Sequence, residues 1–146
     1  MYQLAFYIGD FSNPDAELFD RAVCIWTRSR FSHVEMVFSD GMSFSSSPRD
    51  GGCRFKEIDY NKPSHWVLFP IPWITEYDEQ EIRAFCINQD GTKYDWTGIF
   101  LSQVLPLNIQ EPNRWFCSEI AANSLKAKRP AQYNPGSLYE MVRKHI

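Results

Sequence analysis

The feature that most restricts the fold is a set of alternating segments in the first half of the chain. Phe31 to Phe38 reads Phe-Ser-His-Val-Glu-Met-Val-Phe, with Ser32, Val34, Met36 and Phe38 pointing one way and His33, Glu35 and Val37 the other. A period of two is that of a β-strand, whose side chains alternate between faces. Asp40-Gly41 is a tight-turn pair, so Met42 to Ser47 returns as the second strand of a hairpin. After the loop Pro48 to Gly52, Cys53 to Ile58 alternates again. His65 to Ile71 is a further apolar run, and Pro70 and Pro72 place its end at a sheet edge. Tyr2 to Ile8, rich in apolar and aromatic residues and closed by Gly9-Asp10, suits a strand as well.

Helical patterns fill the remainder. Ser12-Asn13-Pro14 followed by Asp15 and Glu17 is a helix-start signal, with Pro14 at the first helical position. Leu18, Phe19, Ala22, Val23, Ile25 and Trp26 then give one apolar face, and the helix ends near Arg28 to Arg30. Glu76 to Asn88 is amphipathic, carries Ile82, Phe85 and Cys86 on one face and stops at Asp90-Gly91. Tyr94-Asp95-Trp96 opens another helical segment to about Val104, with Asp95 as its N-cap. Pro106 to Arg114 is a polar connection, and Asn134-Pro135 starts a last helix to His145. The order of strand, helix, strands and then helices describes an α+β domain with an antiparallel sheet packed against helices, spanning 1–146 as one unit.

Composition narrows the function classes. A net charge of −3 and scattered basic residues argue against a nucleic-acid partner. No signal peptide is readable, and no apolar stretch approaches the roughly 20 residues of a transmembrane segment, so a cytoplasmic protein is expected. Cys24, Cys53, Cys86 and Cys117 show no CxxC spacing and have only three histidines for company. That supports neither a zinc site nor a disulfide framework; four free thiols and no metal or cofactor are expected. The sequence leaves the oligomeric state open.

Chemistry concentrates at Arg114-Trp115-Phe116-Cys117-Ser118-Glu119-Ile120. Small and apolar residues then recur at helical spacing (Ile120, Ala121, Ser124, Leu125), so a buried helix should carry Cys117 in its first turn and end around Lys126 to Arg129. The N–H groups and positive dipole end of a helix start favour a thiolate, the form of cysteine that attacks. A free cysteine is equally a common packing residue. Cys24 and Cys86, on apolar helical faces, read as inert. His33 is the histidine best placed to serve as base: it opens a strand between Ser32 and Glu35, whereas His65 has no evident partner and His145 lies in a basic terminal helix.

The pieces Ser32-His33-Val34-Glu35, Phe44-Ser45 before a Gly-Gly strand, Tyr94-Asp95 and Phe116-Cys117-Ser118-Glu119 together resemble the circularly permuted papain-like amidases. These form the YiiX-type branch of the NlpC-like superfamily, related also to lecithin retinol acyltransferase, in which the His strand precedes the Cys helix. The Phe44–Gly52 stretch also resembles phage-encoded proteins. The resemblance implies a papain-like fold, a Cys117 nucleophile, a His33 general base and acid, and a thioester acyl-enzyme. Its third polar residue falls nearest Ser45, where relatives carry His, Glu, Asn or Gln. The hairpin register leaves Ser46 open, since a two-residue Asp40-Gly41 loop turns Ser46 toward the His33 face and a three-residue loop restores Ser45. Glu35, about 6.6 Å along the strand and on the His33 face, is the charged rival, or else a solvated or Arg-paired surface group. Tyr94 resembles the family's site tyrosine, which could hydrogen-bond an oxyanion, or else is a packing residue at a strand end or helix start. Glu119 caps its turn or pairs with Arg114. The expected activity is a cysteine hydrolase or amidase on a small-molecule, peptide-like or acyl substrate. The alternatives are a non-catalytic binding module, suggested by the weak orienter, and an acyl-lipid hydrolase or acyltransferase.

Overall fold

The computed structural model describes residues 1–61, 65–94 and 114–145. Strands β1 (Gln3–Ile8), β2 (Phe31–Val37), β3 (Met42–Ser47), β4 (Gly52–Glu57), β5 (Trp66–Pro70), β6 (Lys93–Tyr94) and β7 (Arg114–Trp115) form one sheet in the order β5-β1-β2-β3-β4-β6-β7. Neighbours from β5 to β6 are antiparallel, and β7 joins β6 in parallel through Lys93↔Arg114 and Tyr94↔Trp115. Among the described residues, four α-helices accompany the sheet: α1 (Leu18–Thr27), α2 (Glu76–Gln89), α3 (Cys117–Ser124) and α4 (Pro135–Arg143). The fold is α+β. The expected helix from Asp95 to Val104, with its cap, lies outside the described residues, as does the connection from Pro106 up to β7.

Local chemistry sets most element ends. Thr75 caps α2, accepting from the Asp78 N–H at 3.2 Å while Asp78 accepts from the Thr75 N–H at 3.0 Å. Asn134 caps α4 by accepting from the Ser137 N–H at 2.9 Å, with Pro135 at the first helical position. Alternate residues Leu4, Phe6 and Ile8 of β1, Val34 and Met36 of β2 and Phe44 of β3 join Ile120, Ala121 and Ala122 of α3 and Leu138 and Val142 of α4 in one buried cluster. Each such large side chain contributes about 1.5–3 kcal/mol on burial. This packing presses α3 onto β2 and β3, and so fixes where its first residue sits.

Two expectations are corrected. Helix α1 begins at Leu18, not Pro14. Asn13 is buried and its amide is used locally, donating to the Ile8 carbonyl at 2.7 Å and accepting from the Asp15 N–H at 3.0 Å, which holds a turn where the helix was expected. The apolar face of α1 is also not its buried face: Leu18 and Ile25 are 84% and 63% exposed, while Asp20 and Cys24 are buried. Asp20 is drawn inward by the Ser32 hydroxyl of β2, which donates to it at 2.9 Å. A side-chain atom at Gly9 would collide with Ser32, so glycine is required there for α1 and β2 to approach.

The β2–β3 hairpin turns through three residues. The Phe38 N–H donates to the Met42 carbonyl at 2.9 Å, and Gly41 takes a positive φ of 89°. Met36 therefore faces Phe44, which places Ser45 beside Glu35 on the His33 side.

Candidate active site

Cys117 is the first residue of α3 and is buried. Its N-cap, Phe116, supplies no side-chain acceptor, so the positive end of the helix dipole and the first-turn N–H groups serve the sulfur's surroundings. The residue before the cap is held from far away. Ser46 of β3 donates its hydroxyl to the Trp115 carbonyl at 2.6 Å, and the Trp115 indole N–H donates to Gln89 at 2.8 Å.

The His33 ring lies within hydrogen-bonding reach of the Cys117 sulfur. Its Nε2 meets Glu35 Oε1 at 2.7 Å, which leaves Nδ1 as the nitrogen for the sulfur. Behind it, Arg54 of β4 forks onto Glu35, Nη1 to Oε2 at 2.8 Å and Nη2 to Oε1 at 2.6 Å. Arg54 Nε is held in turn by Asp50 at 2.6 Å. The Glu35 side chain is 1% exposed, so a charge-assisted bidentate pair is the arrangement that makes its burial tolerable.

These contacts set the protonation states. Burial opposes charge on His33, but the Cys117 sulfur, by charge and hydrogen bond, and then Glu35 raise the ring to about 10. Burial likewise opposes the Glu35 carboxylate, and Arg54 and then His33 outweigh it to hold Glu35 below the usual range. At neutral pH Arg54, Glu35 and His33 are all charged, in a chain of contacts that ends at the Cys117 sulfur. Burial pushes the Cys24 thiol up to about 11 and raises Cys53 and Cys86 as well.

The structure thus brings Cys117, His33 and Glu35 together. Ser45, favoured by motif position, does not touch the ring; its buried hydroxyl donates to the Val34 carbonyl at 2.7 Å. The physical reason is that β2 and β3 share the ladder pairs Met36↔Phe44 and Val37↔Ser43 and then part, leaving a carbonyl that Ser45 satisfies. Ser46 serves the Trp115 carbonyl instead. Glu35 is Arg-paired, but as a buried member of the site and not as a surface group. Tyr94 is buried at the end of β6, opposite Trp115, and lines the space on both sides of the His33–Cys117 contact. Glu119 is buried in the first turn of α3. The side chain expected to partner it, on residue 114, lies outside the described set.

Arg54 went unnoticed in the sequence because an arginine in an alternating strand resembles surface charge. Its signal is register: Arg54 faces Ser45, and Ser45 lies beside Glu35. Two spaces adjoin the cluster. A polar cleft of about 340 Å³ includes His33, Arg49, Arg54, Tyr7, Trp66 and Tyr94 in its walls. A small apolar pocket of about 30 Å³ reaches Cys117. Among the described residues no group of three His, Cys, Asp or Glu could hold a metal ion, and no helix is long and apolar enough to cross a membrane. No protein-family model matches the chain, and no curated protein matches it.

Proposed function

We propose that this chain is a papain-like cysteine hydrolase that cleaves an amide through a thioester on Cys117. The observation that carries the reading is the contact of His33 with Cys117 on one side and with Glu35, at 2.7 Å, on the other. A nucleophile, a base and a third group orienting the base are the parts thiol hydrolases need. Cys117 sulfur attacks the carbonyl carbon, and the imidazolium gives its proton to the leaving nitrogen as the C–N bond breaks. Water then attacks the thioester, His33 takes its proton, and the C–S bond breaks to release the acid. Glu35 keeps the ring oriented and charged, and Arg54 keeps Glu35 ionised and in place. Tyr94 flanks the reacting pair. The non-catalytic alternative rested on a weak orienter, and a buried carboxylate is a strong one.

Hydrolysis of p-nitrophenyl acetate offers a test. Cys117→Ala and His33→Ala should each abolish turnover, and the double variant should be no worse than either single, because groups acting as a unit are non-additive. Brief iodoacetamide treatment, mapped by mass spectrometry, should label Cys117 before Cys24, Cys53 and Cys86. Losses that multiply, or labelling that spares Cys117, would overturn the assignment.

A further inference from the structure

The two spaces beside the relay differ in kind. Ser32 and Tyr94 line both, yet His33 belongs to the polar cleft and Cys117 to the small pocket. Val23, Trp26 and Thr27 of α1, with Phe116, Ser118, Asn134 and Pro135, complete the walls of that pocket. Its volume of about 30 Å³ admits about two or three water-sized atoms. The polar cleft, at about 340 Å³, is an order of magnitude larger.

On the cysteine-hydrolase reading, the two sides of the scissile bond are assigned to different groups. The acyl carbon becomes bonded to the Cys117 sulfur, while the leaving nitrogen must approach His33 to receive its proton. We infer that the apolar pocket at Cys117 is an acyl-group pocket that selects short, unbranched apolar acyl groups of about two to three carbons, leaving the larger cleft for the amine portion. Among its walls is Val23, which lies in the middle of α1 and is partly buried. Val23 is not a member of the relay. Its backbone carbonyl accepts from the Thr27 hydroxyl at 2.8 Å, a contact independent of the residue type at 23. Changing this side chain therefore alters the pocket's depth and leaves the reacting groups in place.

The experiment measures acylation of Cys117 by p-nitrophenyl acetate, butyrate and octanoate, following nitrophenolate release and the mass of the adduct. In each case the sulfur–carbonyl bond forms and the carbonyl–oxygen bond to nitrophenolate breaks. The wild type should prefer acetate to octanoate by at least about tenfold, since one misfitting methylene in an apolar pocket is worth about 10–200-fold. Val23→Ala should narrow that ratio about tenfold and admit butyrate, and Val23→Leu should widen it. Two variants of opposite size keep the test decisive if either folds poorly. Octanoate reacting as fast as acetate, or a ratio that neither variant moves, would overturn the acyl-pocket inference while sparing the hydrolase reading. Failure of every ester to modify Cys117 would overturn both.

Discussion

Two buried carboxylates in this molecule are built alike and put to different use. Glu35 and Asp20 are each paired with an arginine, Arg54 and Arg49, and each meets a side chain from the same end of β2. For Glu35 that side chain is His33; for Asp20 it is the hydroxyl of Ser32, the adjacent residue. The arginines differ most. Arg54 is 16% exposed and forked onto its partner, whereas Arg49 is 48% exposed and also reaches Glu17. A titratable neighbour makes the first cluster a proton relay, and a hydroxyl makes the second a brace between α1 and the sheet. Burial of a carboxylate is thus no mark of function by itself; the group it faces decides.

The comparison is broken most severely at Arg54. Arg54→Ala leaves Glu35 charged and buried without its partner, which should destabilise the fold by about 3–5 kcal/mol in urea unfolding. A loss smaller than that of Asp20→Asn would mean the two clusters do not differ as described. Next in size, Glu35→Gln replaces a charge-assisted bond by a neutral one and should slow turnover about 10–100-fold, the equivalent of about 1.5–3 kcal/mol. The same change should lower the His33 pKa. His33 is raised from 6.5 to about 10 in the fold, so its stabilising contribution is complete below about pH 6.5 and lost as pH rises through about 10. The alkaline limb of kcat/KM should follow the same ionisation and move down in Glu35→Gln, as NMR titration of the ring would record. An unmoved limb would remove Glu35 from the relay.

Asp20→Asn comes third. It weakens the bonds from Ser32 and Arg49 and should cost about 1–3 kcal/mol of stability with the His33 pKa unchanged. A shift of that pKa would show the brace and the relay to be one network. Smallest is Arg49→Ala: its guanidinium is half exposed, so thermal unfolding should register below about 1 kcal/mol.

Local patterns carried the sheet and the position of Cys117 at a helix start. The alternation of Phe31 to Phe38, the Asp-Gly turn and the amphipathic Glu76 to Asn88 are short-range signals, and they correspond to β2, the hairpin and α2. The pair Cys117 and His33 was legible because helix start and strand start are local properties too. What sequence left open depended on geometry between elements. Whether the hairpin spends two or three residues decides which serine lies beside Glu35, and Asp40-Gly41 allows both. Arg54 reaches Glu35 only once β4 has paired with β3, and β7 exists only because Trp115 finds Tyr94. The inward turn of Asp20 likewise depends on Ser32, a partner outside its own helix.

The bond from Ser46 to the Trp115 carbonyl has a bearing on how the protein comes to be made. His33, Glu35, Asp50 and Arg54 all leave the ribosome well before Cys117, and the β2–β3–β4 meander that unites them needs only neighbouring chain. The thiol enters its electropositive setting last, when β7 docks and Ser46 secures the residue ahead of the helix. On the proposed reading, a chain halted before residue 117 would hold a finished base and no nucleophile. On the same reading, reactivity therefore waits on a contact that spans 69 residues of chain.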